Sequence, residues 1–96
     1  MAAKGKPHPR SLDAVAARLR ATRVALGLTQ SEFARRAGIA VNTYNQYEKA
    51  RSLPRLDYAN SICDMYGVTL DWIYRGDLSG VPFRIADLLT KEETSK

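Results

Sequence analysis

The sequence predicts an all-α fold with five helices and a short C-terminal helical segment. In several short stretches, apolar residues recur at spacings close to 3.6 residues, the period of an amphipathic helix. Glycines follow these stretches where helices commonly end, and no stretch has the pattern of a strand longer than a few residues. The 96 residues suffice for one domain with a modest core. The predicted helices span residues 12–26, 30–37, 41–48, 55–66, 70–75 and 82–90.

The first two helices are recognised by their ends. Ser11 is the predicted N-cap of the first helix, and Gly27 ends it. Thr29 and Glu32 are spaced as a capping box, in which each side chain bonds the backbone amide of the other residue. Gly38 ends the second helix, so that only a short turn separates it from the third.

The later helices are predicted from the spacing of their apolar residues and from the threonine and proline residues near their ends. The third carries Tyr44 and Tyr47 on one side and polar amides on the other, and a basic loop ending at Pro54 follows it. Thr69 caps the fifth helix, and Pro82 starts the last segment. The predicted apolar stripe of the fourth helix consists of Leu56, Ala59, Ile62, Cys63 and Tyr66.

Charge is unevenly distributed along the chain, whose net charge is +5. Residues 1–55 contain eleven Lys or Arg and three acidic residues, a net charge of +8, whereas residues 56–96 have a net charge of −3. The basic half is suited to approach a polyanion such as nucleic acid. On charge alone, a basic surface that only aids solubility is an equally good interpretation.

Several function classes lack support in the sequence. Cys63 is the single cysteine, so no internal disulfide forms, which agrees with a reducing compartment. No apolar run approaches the ~20 residues of a membrane span, and residues 1–10 lack the apolar core of a signal peptide. His8 is the single histidine, and there is no Gly-rich phosphate loop. We therefore expect a cytoplasmic protein without metal, cofactor or enzymatic activity.

A short helix, a tight turn at a glycine and a second short helix are typical of the helix-turn-helix motif. Three segments at matching spacing carry a closer resemblance: LRATRVALGLTQSEFARRAGI, VNTYNQYEKARSLPRL and SICDMYGVTLDWIYRGD. Together they resemble the Cro/cI-type (XRE) helix-turn-helix domain over about sixty of the 96 residues. The resemblance implies a lambda-repressor-like fold and a transcriptional regulator, most often a repressor, whose helix over residues 41–48 enters the major groove. Tyr44 and Tyr47 are bulkier than the family's usual residues, so packing under this helix is expected to differ in detail.

The resemblance also implies roles for individual residues. In the major groove, Asn and Gln can pair with two atoms of adenine, and valine can touch the thymine methyl group. The alternative interpretation is that the polar and charged side chains of this region are only solvated. Arg23 and Glu48 are expected to form a structural ion pair that fixes the recognition helix. The expected base contacts are Val41, Asn42, Asn45 and Gln46, and the expected phosphate contacts are Gln30, Thr43, Lys49 and Arg51.

Three parts of the chain are expected: a flexible basic tail at 1–10, the helix-turn-helix domain at 11–78 and a C-terminal segment at 79–96. The tail, with Lys4, Lys6 and Arg10, either follows the DNA or adds only weak attraction. The last segment holds apolar residues that either cap the core or form a dimer contact, and a homodimer would bind a near-palindromic operator. These apolar residues are Val81, Phe83, Ile85, Leu88 and Leu89.

Three other functions fit the same sequence. One is the antitoxin of a toxin–antitoxin pair, in which the tail or last segment grips the toxin. Another is a controller protein of a restriction–modification system. The third is a domain that kept the fold and lost DNA binding, which the +8 charge of residues 1–55 disfavours.

Overall fold

The computed structural model describes residues 8–94 and the side chains of residues 8–91. These residues form six helices and no strand, which confirms the all-α prediction. The bounds predicted for the third and fifth helices are those observed, and the first, second and fourth differ by one residue at one end. The helices are α1 (Leu12–Ala25), α2 (Gln30–Arg36), α3 (Val41–Glu48), α4 (Leu56–Tyr66), α5 (Leu70–Arg75) and α6 (Phe83–Thr94).

Side chains cap the starts of three helices. The Ser11 hydroxyl accepts a hydrogen bond from the Ala14 amide at 3.1 Å and starts α1. The capping box at α2 is confirmed, since the Glu32 amide donates to Thr29 Oγ1 at 3.1 Å and the Thr29 amide to Glu32 Oε1 at 2.9 Å. At α5 the Thr69 hydroxyl accepts a hydrogen bond from the Trp72 amide at 3.0 Å. These bonds satisfy helix amides that have no intrahelical partner, which explains why the predicted starts agree with the observed ones.

The core forms around α1, which packs against α3, α5 and α6. Aromatic side chains fill much of its volume: Phe33 stacks on Tyr66 with ring centroids 4.3 Å apart, and Tyr44 lies 5.1 Å from Phe33 at a tilt of 42°. Tyr44 and Tyr47 are both buried, so the underside of α3 is packed by aromatic rings. The recognition helix of the predicted motif therefore rests on a rigid apolar surface.

The last helix is longer than predicted. It continues to Thr94, whereas the sequence prediction ends at residue 90. Two side-chain contacts extend it: Lys91 Nζ lies 3.2 Å from Asp87 Oδ2, and Thr90 Oγ1 donates to the Ala86 carbonyl at 2.9 Å. Polar composition indicated fraying, but these contacts one turn apart support helical structure.

The apolar residues of the last segment divide between the core and the surface. Leu89 and Val81 are buried in the core, and Ile85 packs against it. Phe83 is 83% exposed and Leu88 is 41% exposed. The segment thus caps the core with one set of side chains and presents two others to solvent.

Other sequence expectations fall at the edges of the domain. Leu56, placed on the predicted apolar stripe of α4, is the first residue of that helix and is 60% exposed, so the buried stripe begins after it. Of the predicted tail, Lys4 and Lys6 lie outside the described residues, and Arg10 is exposed. Within residues 8–94, every helix is too short or too polar to cross a lipid bilayer.

Candidate nucleic-acid interface

The turn between α2 and α3 sets the direction of the candidate recognition helix. Gly38 adopts φ +74°, in the left-handed region that favours glycine. The next residue, Ile39, turns into the core and donates its amide to the Ala34 carbonyl at 2.9 Å. Because the buried side chain of Ile39 and its bond to Ala34 anchor the turn, α3 leaves α2 at a defined angle.

The outer face of α3 carries the predicted base-contacting residues. Asn42 is exposed, and Asn45 and Gln46 are half-buried. Gln46 Oε1 lies 3.5 Å from Arg51 Nη1, so this amide already faces a basic side chain. Val41 is also half-buried and packs against the core, which leaves only part of its side chain to meet a ligand.

Arg23 and Glu48 form an ion pair between the end of α1 and the end of α3. Arg23 Nε lies 2.7 Å from Glu48 Oε2, and Arg23 Nη2 lies 3.1 Å from Glu48 Oε1, so the guanidinium meets both carboxylate oxygens. The Arg23 side chain is 15% exposed and that of Glu48 only 4%. Arg23 also donates to the Leu28 carbonyl at 2.9 Å, which adds the α1–α2 connection to the same contact.

Two further donors complete the surroundings of the Glu48 carboxylate. The Tyr44 hydroxyl donates to Oε2, and Gln30 Nε2 donates to Oε1 at 3.0 Å. Burial alone would raise the pKa of Glu48, but the hydrogen bonds from Arg23, Tyr44 and Gln30 outweigh it and hold the pKa below its usual range. Burial and donation to Glu48 raise the pKa of Tyr44, so the phenol stays protonated as the donor. Glu48 is therefore an ionised acceptor that joins α1, α2 and α3, and together with Arg23, Gln30 and Tyr44 it forms the Glu48 cluster.

Gln30 links this cluster to the outer face of α3. Its Nε2 donates to Glu48, and its Oε1 accepts a hydrogen bond from Asn45 Nδ2 at 2.9 Å. Gln30 is the first residue of α2 and is half-buried. Two residues assigned to different DNA contacts, a phosphate contact and a base contact, are thus bonded to each other.

The loop after α3 carries the predicted basic contacts. Lys49 and Arg51 are exposed, whereas Thr43, the other expected phosphate contact on α3, is half-buried. The far end of the loop is fixed by the Tyr74 hydroxyl, which donates to the Pro54 carbonyl at 2.7 Å. The loop therefore presents positive charge from a backbone that is fixed at its far end.

Sequence reasoning missed several of these contacts, among them the bonds of Glu48 to Tyr44 and Gln30 and the bond of Gln30 to Asn45. Tyr44 and Glu48 are four residues apart on one helix, and this spacing is the signal that could have indicated their bond. The bond between Gln30 and Asn45 joins two helices, and nothing in the residue spacing indicates it.

A capped short helix, an anchored glycine turn and a second helix with an amide-rich outer face define a helix-turn-helix DNA-binding domain. A family model described as Helix-turn-helix matches residues 19–73, which is more than half of the chain. The chain belongs to this family, in its XRE type, and is a DNA-binding regulator of transcription. No curated protein and no solved structure is significantly similar to it.

Proposed function

We propose that this protein is a cytoplasmic, homodimeric repressor that binds a near-palindromic operator in double-stranded DNA. In this proposal α3 (residues 41–48) lies in the major groove. Asn42, Asn45 and Gln46 contact base edges there, and Val41 packs against a thymine methyl group. The observation that carries the proposal is the amide-rich outer face of a helix whose underside is packed by buried tyrosines.

Phosphate contacts would flank this face on both sides. Lys49 and Arg51 extend from the anchored loop, and Thr43 lies on α3 itself. Gln30 keeps one N–H of its amide beyond the bond to Glu48, and this hydrogen is available to a phosphate oxygen. Such contacts position the protein on the duplex and make its affinity depend on salt.

Two features support the homodimer. A single recognition helix covers only a few base pairs, and two copies would read half-sites about 34 Å apart. Phe83 and Leu88 are exposed apolar side chains on α6, and an interface between copies would remove them from water. Sedimentation at several protein concentrations tests this part: a monomer at all of them contradicts both the dimer and the palindrome.

Selection from random duplex DNA tests the DNA-binding part. We expect the protein to enrich one sequence, and Asn42→Ala and Gln46→Ala to relax the preference at particular base pairs. Arg51→Ala should weaken binding to all sequences alike and reduce the salt slope by about 1. Failure of every duplex to bind at low salt would refute the proposal.

Repression itself is tested with a promoter placed next to the selected sequence. A repressor lowers transcription of the reporter, and Asn42→Ala with Gln46→Ala restores it. An increase in transcription on expression of the protein would show an activator instead.

A further inference from the structure

Two hydrogen bonds connect Asn45, Gln30 and Glu48 in series: Asn45 donates to Gln30, and Gln30 donates to Glu48. A carboxylate only accepts hydrogen bonds, so Gln30 must turn its Nε2 toward Glu48 Oε1, at 3.0 Å. Gln30 Oε1 is then on the other side of the amide, where it accepts from Asn45 Nδ2 at 2.9 Å. Each bond in the series determines the orientation of the next amide.

The orientation of Asn45 follows from this direction. If the Asn45 amide flipped, its Oδ1 would face Gln30 Oε1, and two acceptors would oppose each other. If Gln30 flipped as well, its oxygen would face the carboxylate of Glu48. Glu48 stays ionised at neutral pH, since its pKa lies below the usual range, so neither flip relieves the conflict.

We propose that Glu48 and Gln30 are positioning residues that fix the amide of Asn45 and thereby make it selective for adenine. With Nδ2 held by Gln30, Asn45 presents Oδ1 and one remaining N–H. These two groups match the N6 donor and N7 acceptor of adenine in the major groove, whereas guanine and thymine present oxygen acceptors that Oδ1 opposes. This inference rests on the proposed function, because it requires α3 to contact bases.

Asn42 and Gln46 differ from Asn45 in this respect. Asn42 is exposed and has no side-chain hydrogen bond within residues 8–91, so its amide can turn either way to suit a base. Gln46 accepts from Arg51 at 3.5 Å and makes no hydrogen bond to the Glu48 cluster among the described side chains. The positioning effect is thus expected at the base pair under Asn45 and not at its neighbours.

The experiment begins by locating that base pair. Asn45→Ala is compared with the unmodified protein by selection from random duplexes, and the position that loses its preference is assigned to Asn45. Titrations by fluorescence anisotropy then measure binding to four duplexes that differ only at this position. We expect the unmodified protein to favour adenine there by about tenfold.

Gln30→Met removes the positioning amide and keeps a side chain of similar length. We expect the adenine preference at this one position to fall to about twofold or less, because the Asn45 amide is then free to turn. A lost phosphate contact also weakens binding, but it does so equally for all four duplexes. Gln46→Met is the matched control, with a change at its own base pair and none at the position of Asn45.

Gln30→Lys provides a second and opposite change. An ammonium group only donates, so it bonds both Glu48 and Asn45 Oδ1 and turns the Asn45 amide to present its N–H groups. We expect the preference to move from adenine toward guanine or thymine, whose major-groove edges offer acceptor oxygens. Thermal unfolding of each variant shows whether the fold is kept.

The outcomes separate the two proposals. If the unmodified protein binds no duplex selectively, the proposed function itself fails. If it binds selectively and Gln30→Met and Gln30→Lys both keep the adenine preference, the positioning role is overturned and the proposed function stands. A uniform loss across the four duplexes, or an Asn45→Ala variant that changes no position, also overturns the positioning role.

Discussion

Replacing Arg23 with methionine leaves the carboxylate of Glu48 buried without its cationic partner. The Glu48 side chain is 4% exposed, so water cannot replace the two hydrogen bonds from the guanidinium, at 2.7 and 3.1 Å. Removing one partner of a buried ion pair costs about 3–5 kcal/mol. Because the Tyr44 and Gln30 donors remain on the carboxylate, we expect about 3 kcal/mol, the lower end of this range.

Glu48→Leu breaks the same contact from the other side. It leaves Arg23 with its bond to the Leu28 carbonyl, and 15% of the arginine side chain is exposed to water. It also takes the acceptor from the Tyr44 hydroxyl, whose other acceptor is the Leu19 carbonyl at 3.5 Å. We expect a similar loss of about 3 kcal/mol in the free energy of unfolding.

The two losses should not add. In the double variant neither charge is buried alone. Its free energy of unfolding should therefore exceed, by about 2 kcal/mol, the value obtained by adding the two single effects. Urea unfolding followed by fluorescence measures each variant, because Trp72 is the single tryptophan and is 2% exposed. Losses that add to within about 0.5 kcal/mol would refute the reasoning.

An exposed ion pair of the same protein serves as the control. Arg55 Nη2 lies 3.0 Å from Asp57 Oδ2, with side chains 68% and 61% exposed. Water screens this pair, so the cycle with Arg55→Met and Asp57→Ala should give a coupling below about 1 kcal/mol. A coupling as large as that of Arg23 and Glu48 would show that burial is not the cause.

Three further predictions concern the same fold. The pKa of folded Glu48 lies below its ordinary value of about 4.5. Its contribution to stability is therefore complete above pH 4.5 and is lost as the pH falls through the folded pKa. As the pH is lowered, the urea midpoint of Glu48→Leu should fall less steeply than that of the unmodified protein. Leu89→Ala should lower the free energy of unfolding by about 2–5 kcal/mol, since this α6 side chain is fully buried. Phe83→Ser should change the free energy of unfolding of the monomer by less than about 0.5 kcal/mol, since Phe83 is exposed. Equal effects of the two substitutions in urea unfolding would contradict the two roles assigned to α6. Ala50→Gly should raise the melting temperature, because Ala50 has φ 59°, which costs a residue with a Cβ about 1 kcal/mol; a lower melting temperature would be evidence against backbone strain there.

Local signals explain why so much of the fold was predictable. The capping box at Thr29 and Glu32 and the N-caps Ser11 and Thr69 depend on residues within one turn, and these helix starts were predicted correctly. The extension of α6 to Thr94 was missed because its supporting contacts are side-chain bonds within a polar stretch. Composition alone does not distinguish such a stretch from a frayed end.

The candidate interface was predictable only in part, because its side chains bond across helices. Arg23 and Glu48 could be paired from the family resemblance, although they are 25 residues apart. The bond of Gln30 to Asn45 depends on the distance and angle between α2 and α3, which the glycine turn sets. A sequence shows that both are amides, but it does not show which of their atoms meet.

The rigidity of α3 must come from its tertiary contacts. A helix of eight residues is too short to be stable alone in water, and α3 lacks a side-chain N-cap. Its placement therefore depends on the buried rings of Tyr44 and Tyr47 and on the carboxylate of Glu48 at its end. Binding to phosphates tolerates small movements of a charged side chain, whereas pairing with a base edge does not. It follows that weakening the Glu48 cluster, for example by Arg23→Met, should reduce selectivity for the preferred duplex more than affinity for duplex DNA in general.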